Sequence, residues 1–195
     1  MNALLSKFAP SATTMIRTDH SHVLMTFHKY RMDTDHKTKQ ALVNTICLAL
    51  EVHAQLEEEL FYPAMRAVAP DNPAVQKSVP EHGEMRRLIG MLRGMEPTDA
   101  RYDQTVMELM RDVLHHVADE ETMMLPDAER LIGERLSELG VEMTKRRLEL
   151  MAPRAGEIAS NAARAMPAST MIMAAGVVVA GSYLVSKALN RHPEH

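Results

Sequence analysis

The chain has 195 residues, a formal net charge of −4, ten His, 17 Met, one Cys and no Trp. That length supports one good core and one main domain. The acidic balance speaks against a nucleic-acid surface, and the lone Cys47 excludes an internal disulfide and fits a reducing compartment.

The first residues, MNALLSKFAPSATTM, carry one Lys and no long apolar core, which makes a poor signal peptide. The chain is rich in Ala, Leu, Met, Glu and Arg, all good helix formers, and long β-branched runs are missing before residue 176. The predicted class is all-α. Turn signals leave four segments, roughly 12–32, 35–66, 73–94 and 98–131. Asp33-Thr34-Asp35 can cap the second. Pro70-Asp71-Asn72-Pro73 is a loop with Pro73 suited to a first helical turn, and Gly94 to Asp99 is another break.

Each segment has an apolar stripe at helical spacing. The first has Ile16, His20, Val23 and Phe27. The second has Leu42, Ile46, Ala49, His53, Leu56 with Glu57, and Leu60. The third has Val75, Val79, His82, Met85, Ile89 and Leu92. The fourth has Val106, Leu109, Val113, His116, Glu120 and Met123. Such stripes joined by short loops predict an antiparallel, up-down four-helix bundle over residues 12–131.

Residues 132–166 read as an accessory helical segment, one helix or two divided at Pro153, with Leu136, Leu139, Met143 and Leu150 as a broken stripe. Pro167 to Ser186 is then twenty residues without a charge, flanked by Arg164 and Lys187. At about 1.5 Å per residue it reaches about 30 Å, the thickness of a hydrocarbon core. Ala175, Gly176, Ala180 and Gly181 suit close helix contact. The run is expected to be a membrane-spanning or membrane-inserting helix that tethers a cytoplasmic bundle to the inner face of the membrane. The competing readings are a fifth core helix and a helix buried in a homo-oligomer.

Six polar residues interrupt the stripes where Leu or Ile is expected: His20, His53, Glu57, His82, His116 and Glu120. Burying a lone carboxylate costs on the order of several kcal/mol or forces protonation. A cation that satisfies neutral imidazoles and carboxylates together gives all six a common reason.

An internal repeat strengthens that reason. His53 opens HAQLEEELFYP and His116 opens HVADEETMMLP, both H-x3-E-E-x4-P. Each is preceded by an acid–His pair, Asp19-His20 and Glu81-His82, at separations of 33 and 34 residues between the His positions. One H-x3-E is weak evidence, since residues four apart always share a helix face. Two in matching halves, each on the inward stripe, are not explained by solvated polar faces. His115 is turned about 100° from His116 and reads as a rim residue, with ligation as its alternative. His22, His28, His36, His192 and His195 have no repeat partner and read as surface.

These residues resemble the hemerythrin-like family of HHE cation-binding domains, bacterial type. The matching pieces are TDHSHV around His20, HAQLEEELFYP from His53, PEHGEM around His82 and HHVADEE around His116. The resemblance implies two iron ions in a non-haem di-iron centre, bridged by two carboxylates and an oxo or hydroxo group. It places the bridges at Glu57 and Glu120 and the terminal imidazoles at His20, His53, His82 and His116. The oxygen carriers of that family have a further His one turn after the third-helix ligand, where this chain has Arg86; Ser78 lies one turn before. They also end the fourth-helix motif with Asp five residues after its His, where here Glu120 follows by four. Reversible oxygen carriage is therefore not implied.

The donor set alone suits iron, zinc or manganese. The implied ligand is oxygen, peroxide or another small diatomic molecule. Two roles stay open within the resemblance, an enzyme that decomposes peroxide and a sensor that changes with iron loading. The alternative is a structural or zinc-binding bundle that acts as an interaction module.

Overall fold

The computed structural model describes residues 9–165. The apolar run at 167–186, and the membrane or oligomer role expected of it, lie outside the described residues, as do His192 and His195. Among the described residues no helix is long and apolar enough to cross a membrane.

The described secondary structure is helical throughout: α1 (Ala12–Lys29), α2 (His36–Leu56), α3 (Tyr62–Val68), α4 (Pro73–Arg93), α5 (Tyr102–Asp119), α6 (Leu125–Leu131), α7 (Arg135–Met151) and α8 (Ala155–Ala165). A π segment, Glu57–Phe61, joins α2 to α3 without a break, and a second, Glu120–Met124, joins α5 to α6. A 3-10 turn, Ala152–Arg154, separates α7 from α8 at Pro153.

The caps explain most boundaries. The Asp35 carboxylate accepts from the Lys37 and Thr38 amides, at 3.1 and 3.0 Å, and starts α2. Asn72 does the same for Ala74 and Val75 at 3.0 and 3.2 Å, with Pro73 in the first turn. Two ends fall short of the sequence reading. α1 stops at Lys29 because Tyr30 is extended, buried, and donates its hydroxyl to Asp103. α5 starts at Tyr102 because Glu96 to Asp99 forms a turn, closed by the Asp99 amide on the Glu96 carbonyl at 2.9 Å.

The core is two apolar clusters with a polar layer between them. One holds Ile16, Leu56, Phe61, Val75, Met124 and Leu125; the other holds Val23, Leu50, Met85 and Val113. Along α1 the chain passes from the first cluster through His20 to the second. Along α2 it returns through His53 and Glu57, and α4 and α5 repeat the alternation through His82, then His116 and Glu120. The helices therefore cross the polar layer at matching depth.

α7 packs on α1, α2 and the first π segment, and α8 packs on α2. The close approach of α7 depends on Gly140, where a Cβ would lie 2.0 Å from the Pro10 carbonyl oxygen. Only a residue without a side chain fits there.

Candidate metal centre

All six residues singled out from the sequence lie in the polar layer, and all are buried. His20 comes from α1, His53 from α2, His82 from α4 and His116 from α5, while Glu57 and Glu120 open the two π segments. The exposed His22, His28, His36 and His115 stay outside.

The imidazoles face inward through Nε2. His20 Nε2 lies 3.2 Å from Glu120 Oε2, and His53 Nε2 lies 3.2 Å from Glu57 Oε2. His82 Nε2 is 3.4 Å from Glu57 Oε2, and His116 Nε2 is 3.6 Å from Glu120 Oε2. Two overlapping donor groups result, His20, His53, Glu57 and Glu120 in one and Glu57, His82 and His116 in the other. In each, the ligand atoms lie within 4.8 Å of one another. Glu57 belongs to both.

The outer edge of every ring meets an acid. His20 Nδ1 is 3.0 Å from Glu121, His53 Nδ1 is 3.4 Å from Asp19, His82 Nδ1 is 2.9 Å from Glu58, and His116 Nδ1 is 3.0 Å from Glu81. A carboxylate at Nδ1 accepts that N–H and leaves Nε2 as an unprotonated lone pair. The acids alternate around the bundle. Each sits beside one inward residue in sequence and supports the imidazole of a neighbouring helix.

This tests whether a cation fits. His20 Nε2, His53 Nε2, Glu57 Oε1 and Glu120 Oε2 are buried without a hydrogen-bond partner. The Nε2 atoms of His82 and His116 stand 3.1 Å apart, and neither can donate when both Nδ1 atoms hold the proton. Acceptors converging on acceptors need a positive charge between them. Without one, burial and the Glu120 charge push the Glu57 carboxyl well above the usual range. Burial pushes the His53 imidazole down to about 4, which keeps it neutral.

Tyr62 was not legible as a site residue. Its hydroxyl donates toward Glu120 Oε1 at 2.8 Å and lies 3.1 Å from Glu57 Oε2 and 3.3 Å from His82 Nε2. Burial, with the charges of Glu57 and Glu120, holds it as the neutral phenol. The equivalent position in the second repeat is Leu125, so the phenol breaks the symmetry of the halves. The signal that would have exposed Tyr62 is the proline after it. Pro63, like Pro126, cannot donate the backbone bond that an α-helix needs. The Tyr62 amide bonds to the Glu57 carbonyl, and the Leu125 amide to that of Glu120, five residues back in each case. Each wide turn advances the inward face by one residue. Met124 is therefore 0% exposed and Met123 43%, against the stripe read from the sequence. On α4, which has no wide turn, Val79 is also exposed and Ser78 takes the inward place one turn before His82.

Arg86 is 43% exposed and pairs with Glu58 at 2.8 Å. It lies outside the ring of acids, while Ser78 is buried and donates to the Ala74 carbonyl. On the second-cluster side the four rings border a cavity of about 10 Å³, closed by Val23, Leu50, Met85, Val113 and Val117.

Three comparisons bear on this geometry. The model of the hemerythrin HHE cation binding domain matches residues 11–128. A curated DNA nickase from Nostoc sp. is 29% identical over 110 residues, 56% of this chain and 31% of the nickase. The chain thus spans less than a third of that relative's length. The crystal structure of a hemerythrin HHE cation binding domain-containing protein from Mycobacterium kansasii has a TM-score of 0.64 at 18% identity. It covers 80% of this chain and 99% of its own, a likeness of fold. The His and Glu clusters are of a kind that can hold a metal ion, and with the match over 11–128 the chain belongs to the hemerythrin HHE cation-binding domain family.

Proposed function

We propose that this chain is a non-haem di-iron protein that senses or handles oxygen, peroxide or iron. His20, His53, His82 and His116 are its terminal imidazoles, and Glu57 and Glu120 its bridging carboxylates. The observation that carries the reading is the ring of acids. Four Nδ1–H groups are bound outward, so four Nε2 lone pairs and two carboxylates converge in one buried layer. Two overlapping donor groups that share Glu57 support two ions, and family membership supports iron over zinc or manganese. The alternation of the helices through the two apolar clusters supports an antiparallel, up-down four-helix arrangement.

Bound iron would supply one-electron redox chemistry toward oxygen or peroxide. The chain's own residues do the rest. Asp19, Glu58, Glu81 and Glu121 fix the imidazole tautomers, and the two apolar clusters exclude bulk water from the layer. The cavity of about 10 Å³ beside the rings is close to the least that admits one water. Tyr62 is a further oxygen donor within reach of both carboxylates. Nicking of DNA is not carried over from the Nostoc relative, because this chain spans only 31% of that protein.

Elemental analysis with an absorption spectrum, on protein purified from its own cells, tests the reading. Two irons per chain are expected. Zinc alone would favour the structural bundle, and a chain without metal would refute the centre.

A further inference from the structure

The four acids behind the imidazoles are not equally supported. Glu81 is held by Lys77 of its own helix, whose side chain is 56% exposed. Glu58 meets Arg86 through one nitrogen. Asp19 is different. Both of its oxygens take the guanidinium fork of Arg147, one at 2.8 Å and the other closer, and Arg147 belongs to α7. That side chain is 25% exposed, and Asp19 is 15% exposed. A fork on a carboxylate fixes both distance and plane. The fixed carboxylate is the one that accepts from His53.

α7 touches the same half of the centre a second time. Arg146 pairs with Glu59 at 2.7 and 3.1 Å, on the π segment that begins with Glu57. Gly140 lets α7 rest on the chain just before α1, so these contacts are made by a closely seated helix. α7 lies beyond residues 11–128. Among the described residues, the matching half around His116 has no fork from another helix.

We infer that Arg147 is a positioning residue of the metal centre: through Asp19 it sets the orientation of the His53 ring, and α7 thereby controls how firmly the His20–His53 half holds its ion. The inference rests on the metal-centre reading above.

Cobalt(II) titration of the metal-depleted full chain, followed by its visible bands, tests it. The unmutated chain should fill two sites. Arg147→Gln should weaken one of them by about tenfold, at the low end of the 10–100-fold seen for outer-sphere partners. The other should stay within about twofold, and the bands of the weakened site should shift. Arg147→Lys keeps the charge without the fork and should recover part of the loss. Arg154→Gln breaks a tie between the C-terminal segment and Glu51 that avoids the ring of acids, and should change neither site. Circular dichroism of the metal-free forms checks folding; if Arg147→Gln is unfolded, Arg147→Lys carries the comparison. Equal weakening of both sites, the same loss in Arg154→Gln, or unchanged affinity and bands in the Arg147 variants would overturn the inference alone. An unmutated chain that binds no cobalt would overturn the metal centre as well.

Discussion

Replacing Glu57 by Gln keeps the volume and removes the charge. Glu57 is 0% exposed, and burial with the neighbouring Glu120 charge holds its carboxyl far above the usual range when no cation is present. Burial in the metal-free chain favours its neutral form, and Gln is the neutral isostere of that form. The metal-free stabilities of Glu57→Gln and the unmutated chain should then agree within about 1 kcal/mol. The loaded chains should not. An ion at a thousand times its dissociation constant contributes about 4 kcal/mol. For a chain of this size each kcal/mol moves Tm by about 2–4 °C, a gain of about 8–16 °C for each ion loaded. Because Glu57 serves both donor groups, Glu57→Gln should lose most of that gain and most of its metal. Calorimetry with and without metal, paired with elemental analysis, reads both quantities. A variant that keeps the full thermal gain and the full metal content refutes the sharing of Glu57 between the two ions.

Three further outcomes are expected. Tyr62→Phe leaves Glu120 short of a donor and should lower metal-free stability by about 1–3 kcal/mol in urea; an unchanged midpoint would mean that the hydroxyl is not engaged. Gly140→Ala drives a Cβ into the Pro10 carbonyl and should cost about 1–3 kcal/mol as overpacking, read by the same assay. Burial pushes the Cys47 thiol from 9.0 up to about 12. Stability from the neutral thiol is therefore full below pH 9 and lost as pH rises to about 12, and folded protein should resist alkylation near pH 8.

Helix positions were legible because each apolar stripe is long and the caps are explicit, as at Asp35 and Pro73. The six inward residues were legible because polar side chains on such a stripe demand a common partner, and the repeat states the demand twice. Asp19 and Glu81 stand in the sequence as the acids of two acid–His pairs, but the imidazole each one supports is not legible there. Asp19 serves His53 rather than the adjacent His20, and such crossing depends on how helices face one another. Tyr62 was hidden for another reason. Its inward position exists only because the π segment shifts the helix phase, and a uniform helical period turns it elsewhere. Arg147 lies outside the repeat, in the accessory segment and off its broken apolar stripe.

The two π segments also limit how this site can be transplanted. A designer who copies the His and Glu spacing onto a regular helical scaffold reproduces H-x3-E but not the wide turn after it. Every residue from Phe61 onward would then be rotated by about 100°. Tyr62 would leave the carboxylates, and Met65 would leave the apolar cluster beneath them. A working graft has to carry Glu57–Phe61 together with Pro63, and its counterpart Glu120–Met124 with Pro126, as single inserts.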